Sequence, residues 1–192
     1  MANWAYTSYA VEGPGETLER IEQAILHPDI EEDSAESWEG NVLRALGIEW
    51  KQDRSDGGYY MRGFIQDKPW FNGDTLMFYA EEAWGVTDLN EVLEKNLPGV
   101  KVYYQVEEEG EEIYATNDKE GKYFPERYYV DICAGDCYDS DYFTTEENVW
   151  DYLSRVSDGK ITTQEDVDAF NQKAEEECSD EYIKIHKFTI VE

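Results

Sequence analysis

Cysteine, histidine and basic residues are all scarce in this chain of 192 residues. The three cysteines, Cys133, Cys137 and Cys178, are odd in number, which argues against a disulfide framework. The two histidines, His27 and His186, have no recognisable nucleophile or orienting carboxylate close in sequence, so no Ser-His or Cys-His constellation is legible. Lys and Arg together number 16 against 45 Asp and Glu, for a net charge of −29. Such a surface repels phosphates, because nucleic-acid binding needs a basic face that releases counterions. It repels anionic lipid headgroups for the same reason. No stretch approaches the roughly 18 apolar residues of a membrane span. The opening "ANWAYTSYAVEG" also lacks the basic start and unbroken apolar run of a signal peptide. A cytoplasmic location is therefore expected. Glycine-rich stretches such as "GPG" and "DGG" lack the lysine of a phosphate loop.

What is present is enough to fold. The chain is 41% hydrophobic and 15% aromatic, which supports a real core despite the charge. "NWAYTSYAVEG" alternates and reads as a strand. "PGETLERIEQAIL" reads as a helix, with Leu18, Ile21, Ala24 and Ile25 on one stripe. A loop and a short helix over 39–46 follow. "GGYYMRGFIQDKPW" and "TLMFYAEEAW" read as two strands joined at the Asn-Gly pair of "FNGD". "TDLNEVLEKNLPG" reads as a helix capped by Thr87 or Asp88 and stopped by Pro98 and Gly99. "VKVYYQVEEEGEEIYATND" reads as a hairpin turning near Gly110, and "KYFPERYYVDI" as a further extended segment. The order strand, helix, strand, strand, helix, strand predicts an α+β fold: a ferredoxin-like split βαβ antiparallel sheet with two helices on one face. That core is expected over 1–130. A C-terminal extension over 131–192 should add a helix in "TTEENVWDYLSRV", with Val149, Trp150, Leu153 and Val156 inward. A second helix is expected over 164–175, and a strand in "EYIKIHKFTIVE".

The segments "MANW", "NGDTLMFYAEEAW", "LPGVKVYYQVEEEG" and "IYATND" resemble the YubB-type ferredoxin-like domain, a family of small proteins of plasmids, phages and related mobile elements. The resemblance covers about the first two thirds of the chain, and Asn3, Trp4, Gly73, Trp84 and Pro98 carry it. Ala5 stands where the family usually has Cys, and "WGVT" stands where it has Trp-Ser-Pro-Pro. The resemblance implies the fold and a mobile-element setting. It implies no settled catalytic residues.

Two metal motifs are approximated. Placing Gly159 of "SDGKITTQEDVDAF" at position 6 of a calcium loop puts Asp158 at 5, Thr162 at 9 and Glu165 at 12. Positions 1 and 3 then fall on Ser154 and Val156, which lack carboxylates. A helix–turn–helix joint explains every residue: Gly159 ends one helix, Thr162 caps the next and Glu165 closes a capping box. Cys133-x3-Cys137 with Cys178 and His186 has the composition of a zinc site but not its spacing. No metal or other cofactor is expected. Paired carboxylates carry little information among 45 acids.

These absences leave binding as the leading expectation: an acidic interaction domain whose partner is a basic protein, one that handles nucleic acid. Carboxylates on one strand face repeat every 6.6–6.8 Å or so, close to twice the per-strand phosphate rise, so an acidic face can imitate nucleic acid. The residues expected to form the surface are Glu31, Glu32 and Asp33 in one patch and Glu107, Glu108, Glu109, Glu111 and Glu112 in another. Tyr103 and Trp84 are the aromatic contacts. A third acidic run covers 175–181. The alternative is a carboxylate- or metal-dependent enzyme.

Overall fold

The computed structural model of the protein describes residues 3–32, 34–52, 57–135 and 137–191. Asp33 lies outside them. The chain divides into two compact units, one ending at Asp118 and one running from Lys119 to Val191. The sequence reading placed that division between 130 and 131.

The first unit contains β1 (Trp4–Glu12), α1 (Gly15–Leu26), α2 (Glu39–Ala45), β2 (Gly63–Asn72), β3 (Thr75–Ala83), α3 (Leu89–Asn96), β4 (Lys101–Glu108) and β5 (Ile113–Thr116). Its five strands lie in the order β2-β3-β1-β4-β5, and every neighbouring pair is antiparallel. β5 extends the sheet beyond the four strands of a split βαβ arrangement. β1 alternates as its sequence predicts. Ala5, Thr7, Tyr9 and Val11 are buried, while Trp4 and Tyr6 stand exposed on the opposite side. The buried side meets the helices: α1 packs on β2 and β3, α2 on α1 and β2, and α3 on β4. Leu18, Ile21, Leu89, Val92 and Leu93 deliver the apolar stripes of α1 and α3 into this core. Asn72 and Thr75 pair across the expected tight turn, where Gly73 takes a φ of 65° that glycine adopts without strain. β2 is shorter than expected. Residues 59–62 stay outside the ladder, because the Tyr59 N–H donates to the Lys51 carbonyl and the Tyr60 N–H to the Asp88 carboxylate.

The second unit contains β6 (Tyr128–Ala134), β7 (Cys137–Phe143), α4 (Glu146–Val156), α5 (Gln164–Glu176), β8 (Tyr182–Lys187) and a short β9 (Thr189–Ile190). β7, β6 and β8 form an antiparallel sheet in that order. Val130, Ile132 and Ile183 of the sheet pack with Val149, Leu153, Ile161 and Val167. Three expectations need correction. β7 was not anticipated, because "CYDSDYF" is a polar edge strand with no buried face to impose alternation. Val156 was expected inward, yet it ends α4 and is exposed, and Tyr152 takes the core position instead. The cap of α5 is Thr163 rather than Thr162, and its capping-box partner is Asp166 rather than Glu165. Among the described residues, no helix is long and apolar enough to cross a membrane.

Candidate functional site

Two carboxyl groups are sealed in the core of the first unit. Glu82 points inward from β3 and Glu39 opens α2; both are fully buried. Glu82 accepts from the Thr7 hydroxyl, from the Tyr9 hydroxyl at 2.7 Å and from the Thr87 N–H at 3.0 Å. The Thr87 hydroxyl lies 2.7 Å from Glu82 Oε1 and 3.0 Å from Glu39 Oε2. One hydroxyl carries one proton and donates to only one of them. The donors therefore converge on Glu82, and Glu39 Oε2 meets the Thr87 hydroxyl only at the longer distance. Burial, and then the Glu82 charge, push the Glu39 carboxyl well above the usual carboxylate range. The same two causes push the Tyr9 hydroxyl up. Glu39 Oε1 is buried without a hydrogen-bond partner of good geometry, which adds to the cost of charging this carboxyl. Gly63 makes the space: a Cβ there would collide with the Glu39 carboxyl. Sequence reasoning missed this pair among the acids. The one available signal was Glu82 falling in phase with the inward residues Leu76, Phe78 and Ala80 of β3.

The opposite face of the same sheet is rich in aromatic residues. Register places directly paired residues on one face. Phe64 on β2 pairs with Glu81 on β3, Glu81 with Tyr6 on β1, and Tyr6 with Glu107 on β4. Aromatic ring and carboxylate thus alternate across four strands. A parallel row runs Gln66, Tyr79, Ser8 and Gln105, and a third runs Trp70, Met77, Ala10 and Tyr103. Tyr6 is 65% exposed, Tyr79 45% and Trp4 43%. The rings pack in pairs, Trp4 with Phe64 at 5.7 Å between centroids and Trp70 with Tyr79 at 5.0 Å. The rings thus lie against one another on this face. Lys101 Nζ sits 4.7 Å from the Tyr103 ring centroid, so the face already holds one cation over a ring. Among the cross-strand pairs of the open face, Lys101 is basic and Glu12, Glu81 and Glu107 are acidic; Lys68 lies in the β2 bulge, and Arg62 borders the face beside Trp4 and Phe64.

The residues expected to form the interaction surface divide. Tyr103 and Glu107 lie on this face, both half-buried. Glu108 does not: it is buried and accepts from the N–H groups of Gly110 and Glu111 at 2.8 and 2.6 Å, so its carboxylate holds the β4–β5 turn. Glu109, Glu111 and Glu112 are exposed around that turn, where Asn3 donates to Glu111 at 3.2 Å. Glu31 and Glu32 are exposed, and Glu31 lies 3.6 Å from Arg44. Trp84 follows β3 with a φ of 66° and is 48% exposed, its N–H bonded to the Asn3 carbonyl. The residues expected on sequence grounds are therefore spread over the unit, and the exposed rings of β1, β2 and β3 went unnoticed.

In the second unit, Ser154 and Val156 belong to α4, which places the first two positions of the calcium motif inside a helix. Gly159 turns the chain with a φ of 77°, and its N–H closes on the Ser154 carbonyl at 2.7 Å. Cys133 pairs across the sheet with Tyr138 and Tyr182, whereas His186 pairs with Tyr129, so cysteines and histidine do not converge. Among the described residues, no group of three or more His, Cys, Asp or Glu side chains is placed to hold a metal ion. Comparison with family models, curated proteins and solved structures finds no match.

Proposed function

We propose that the protein is a non-catalytic interaction module that engages a basic partner through the open face of its first unit. The observation that carries this reading is the row of alternating rings and carboxylates on an exposed sheet. Rigid aromatic side chains supply contact area at low entropic cost, and the acids select for positive charge. The same surface disfavours single-stranded nucleic acid. Stacking platforms for bases come with cations that grip phosphate, and here Glu81 and Glu107 occupy those places. A partner that itself handles nucleic acid fits, since a face of this charge competes for the same basic groove. The order β2-β3-β1-β4, with helices following β1 and β3, supports a ferredoxin-like core, and a YubB-type, mobile-element setting is part of the proposal. A cytoplasmic setting is part of this proposal and agrees with three free cysteines.

A second reading, a carboxylate-dependent enzyme, rests on Glu39 and Glu82, which meet at the Thr87 hydroxyl, with burial and the Glu82 charge raising Glu39. Full burial of both keeps substrates from reaching them, so the interaction reading is preferred. The test is capture of partners from cell extract by the immobilised protein. Partners should be released between about 0.1 and 0.5 M salt, where the Debye length falls well below 10 Å. Duplex DNA should displace them, and Tyr6→Ala with Tyr79→Ala should abolish capture. Retention unchanged by salt, by DNA and by these substitutions overturns the reading.

A further inference from the structure

The row Phe64–Glu81–Tyr6–Glu107 has a more specific chemistry than acidity. Each carboxylate lies one strand from the next ring, about 4.8 Å away in the pairing direction. A guanidinium group is planar: it stacks on a ring and, at the same time, points a fork of N–H donors along its own plane. An ammonium group is a compact, strongly hydrated point charge and gains much less from a ring beside its carboxylate. Glu81 is already oriented by Gln66 Nε2 at 3.3 Å, so its carboxylate is positioned rather than free to swing. Lys101 over Tyr103 supplies a cation-on-ring contact within the same face.

We propose that this row is an arginine-reading surface, taking two guanidinium groups of one extended segment of a basic protein, each stacked on a ring of the row and hydrogen-bonded to Glu81 or Glu107. This rests on the reading of the face as a docking surface for a basic partner and names what the partner presents. The two carboxylates stand on strands separated by β1, about 9.6 Å apart. A polyproline II segment repeats its side-chain direction every three residues, about 9.3 Å. The matching segment therefore carries Arg at i and i+3 in polyproline II form.

The experiment is calorimetric titration of the whole chain with two synthetic peptides of equal length and charge. One has Arg at every third position with Pro between, and the other has Lys at the same positions. The Arg peptide should bind at least tenfold more tightly. Tyr6→Ala, at a side chain that is mostly exposed, should remove that preference without lowering the melting temperature. Glu81→Gln with Glu107→Gln should weaken both peptides and the Arg peptide more. Equal binding of the two peptides overturns the arginine reading and leaves the basic-partner reading standing. Binding of neither peptide overturns both. An Arg preference that survives Tyr6→Ala places the recognition elsewhere and overturns the assignment to this row.

Discussion

A buried acid whose carboxyl is pushed above its ordinary range makes folding less favourable as pH rises, and Glu39 is that acid. Its folded-state titration lies above that of an unfolded glutamate. Below about pH 4 both states hold the proton and the site is neutral with respect to folding. As pH rises through the unfolded value, the unfolded chain releases a proton that the folded chain retains, and stability falls until the folded value is passed. Glu39→Gln keeps a donor toward Glu82 and removes the titration. The variant should be more stable than the parent at pH 7, and the gap should close near pH 4. Urea unfolding at the two pH values reads this directly, and a gap of the same size at both would show that Glu39 is ionised in the fold. Gly63→Ala acts on the same site from outside: its Cβ meets the Glu39 carboxyl and should destabilise by about 1–3 kcal/mol, the usual cost of overpacking. Composition hid this pair. A glutamate is read as surface wherever it occurs, and only the phase of Glu82 within β3 marks it as inward.

The elements whose residues alternate or recur at helical spacing were legible, and those shaped by polar side chains were not. β1, β3, α1, α3 and α5 follow apolar periodicity that burial on one side imposes. β7 carries no such period because it borders water, and the start of β2 was obscured because Asp88 draws the Tyr60 N–H out of the ladder. Capping shows how narrow the margin is. Thr162 and Thr163 both precede α5, and the choice is made by Asp166, whose carboxylate accepts from both backbone N–H groups. Those bonds pull the Asp166 carboxyl below its ordinary value, the Thr162 N–H contributing most. Thr163→Ala should cost the helix about 1 kcal/mol, as losses of a Thr cap do, measured by urea unfolding. The β4–β5 turn gives a sharper contrast. Glu108→Ala leaves the N–H groups of Gly110 and Glu111 without their acceptor and should lower stability by about 1–3 kcal/mol. Glu109→Ala, one residue further and exposed, should stay within about 0.5 kcal/mol of the parent. Identical losses for the two would remove the distinction between a structural acid and a surface acid in this run.

Over the whole molecule, one sign of charge dominates. A net charge of −29 on 192 residues, 16 Lys and Arg against 45 Asp and Glu, leaves too few cations to pair with most of the carboxylates. Three ion pairs among the described residues are exposed and long: Arg44 with Asp29 at 3.7 Å and with Glu31 at 3.6 Å, and Lys173 with Glu177 at 3.8 Å. Pairs of that kind are worth about 0–1 kcal/mol each and weaken further in salt. Added salt therefore acts on two opposed quantities. It removes a small attraction from the few pairs, and it screens a repulsion summed over many like charges held close by folding. The repulsion is the larger, because the unfolded chain spreads the same charges over a greater volume. The melting temperature should rise as sodium chloride goes from about 0.01 to about 0.5 M, across which the Debye length contracts from about 30 Å to a few Å. The titration belongs at fixed pH, so that the Glu39 proton does not change alongside the screening. It should be repeated on a variant with Glu109, Glu111 and Glu112 replaced by Gln. Those three side chains are exposed around one turn, so removing their charge should raise the low-salt melting temperature and flatten the salt dependence. A melting temperature that stays level in the parent would mean that the carboxylates are well separated in the fold, and one that falls with salt would mean that paired acids outweigh the repulsion.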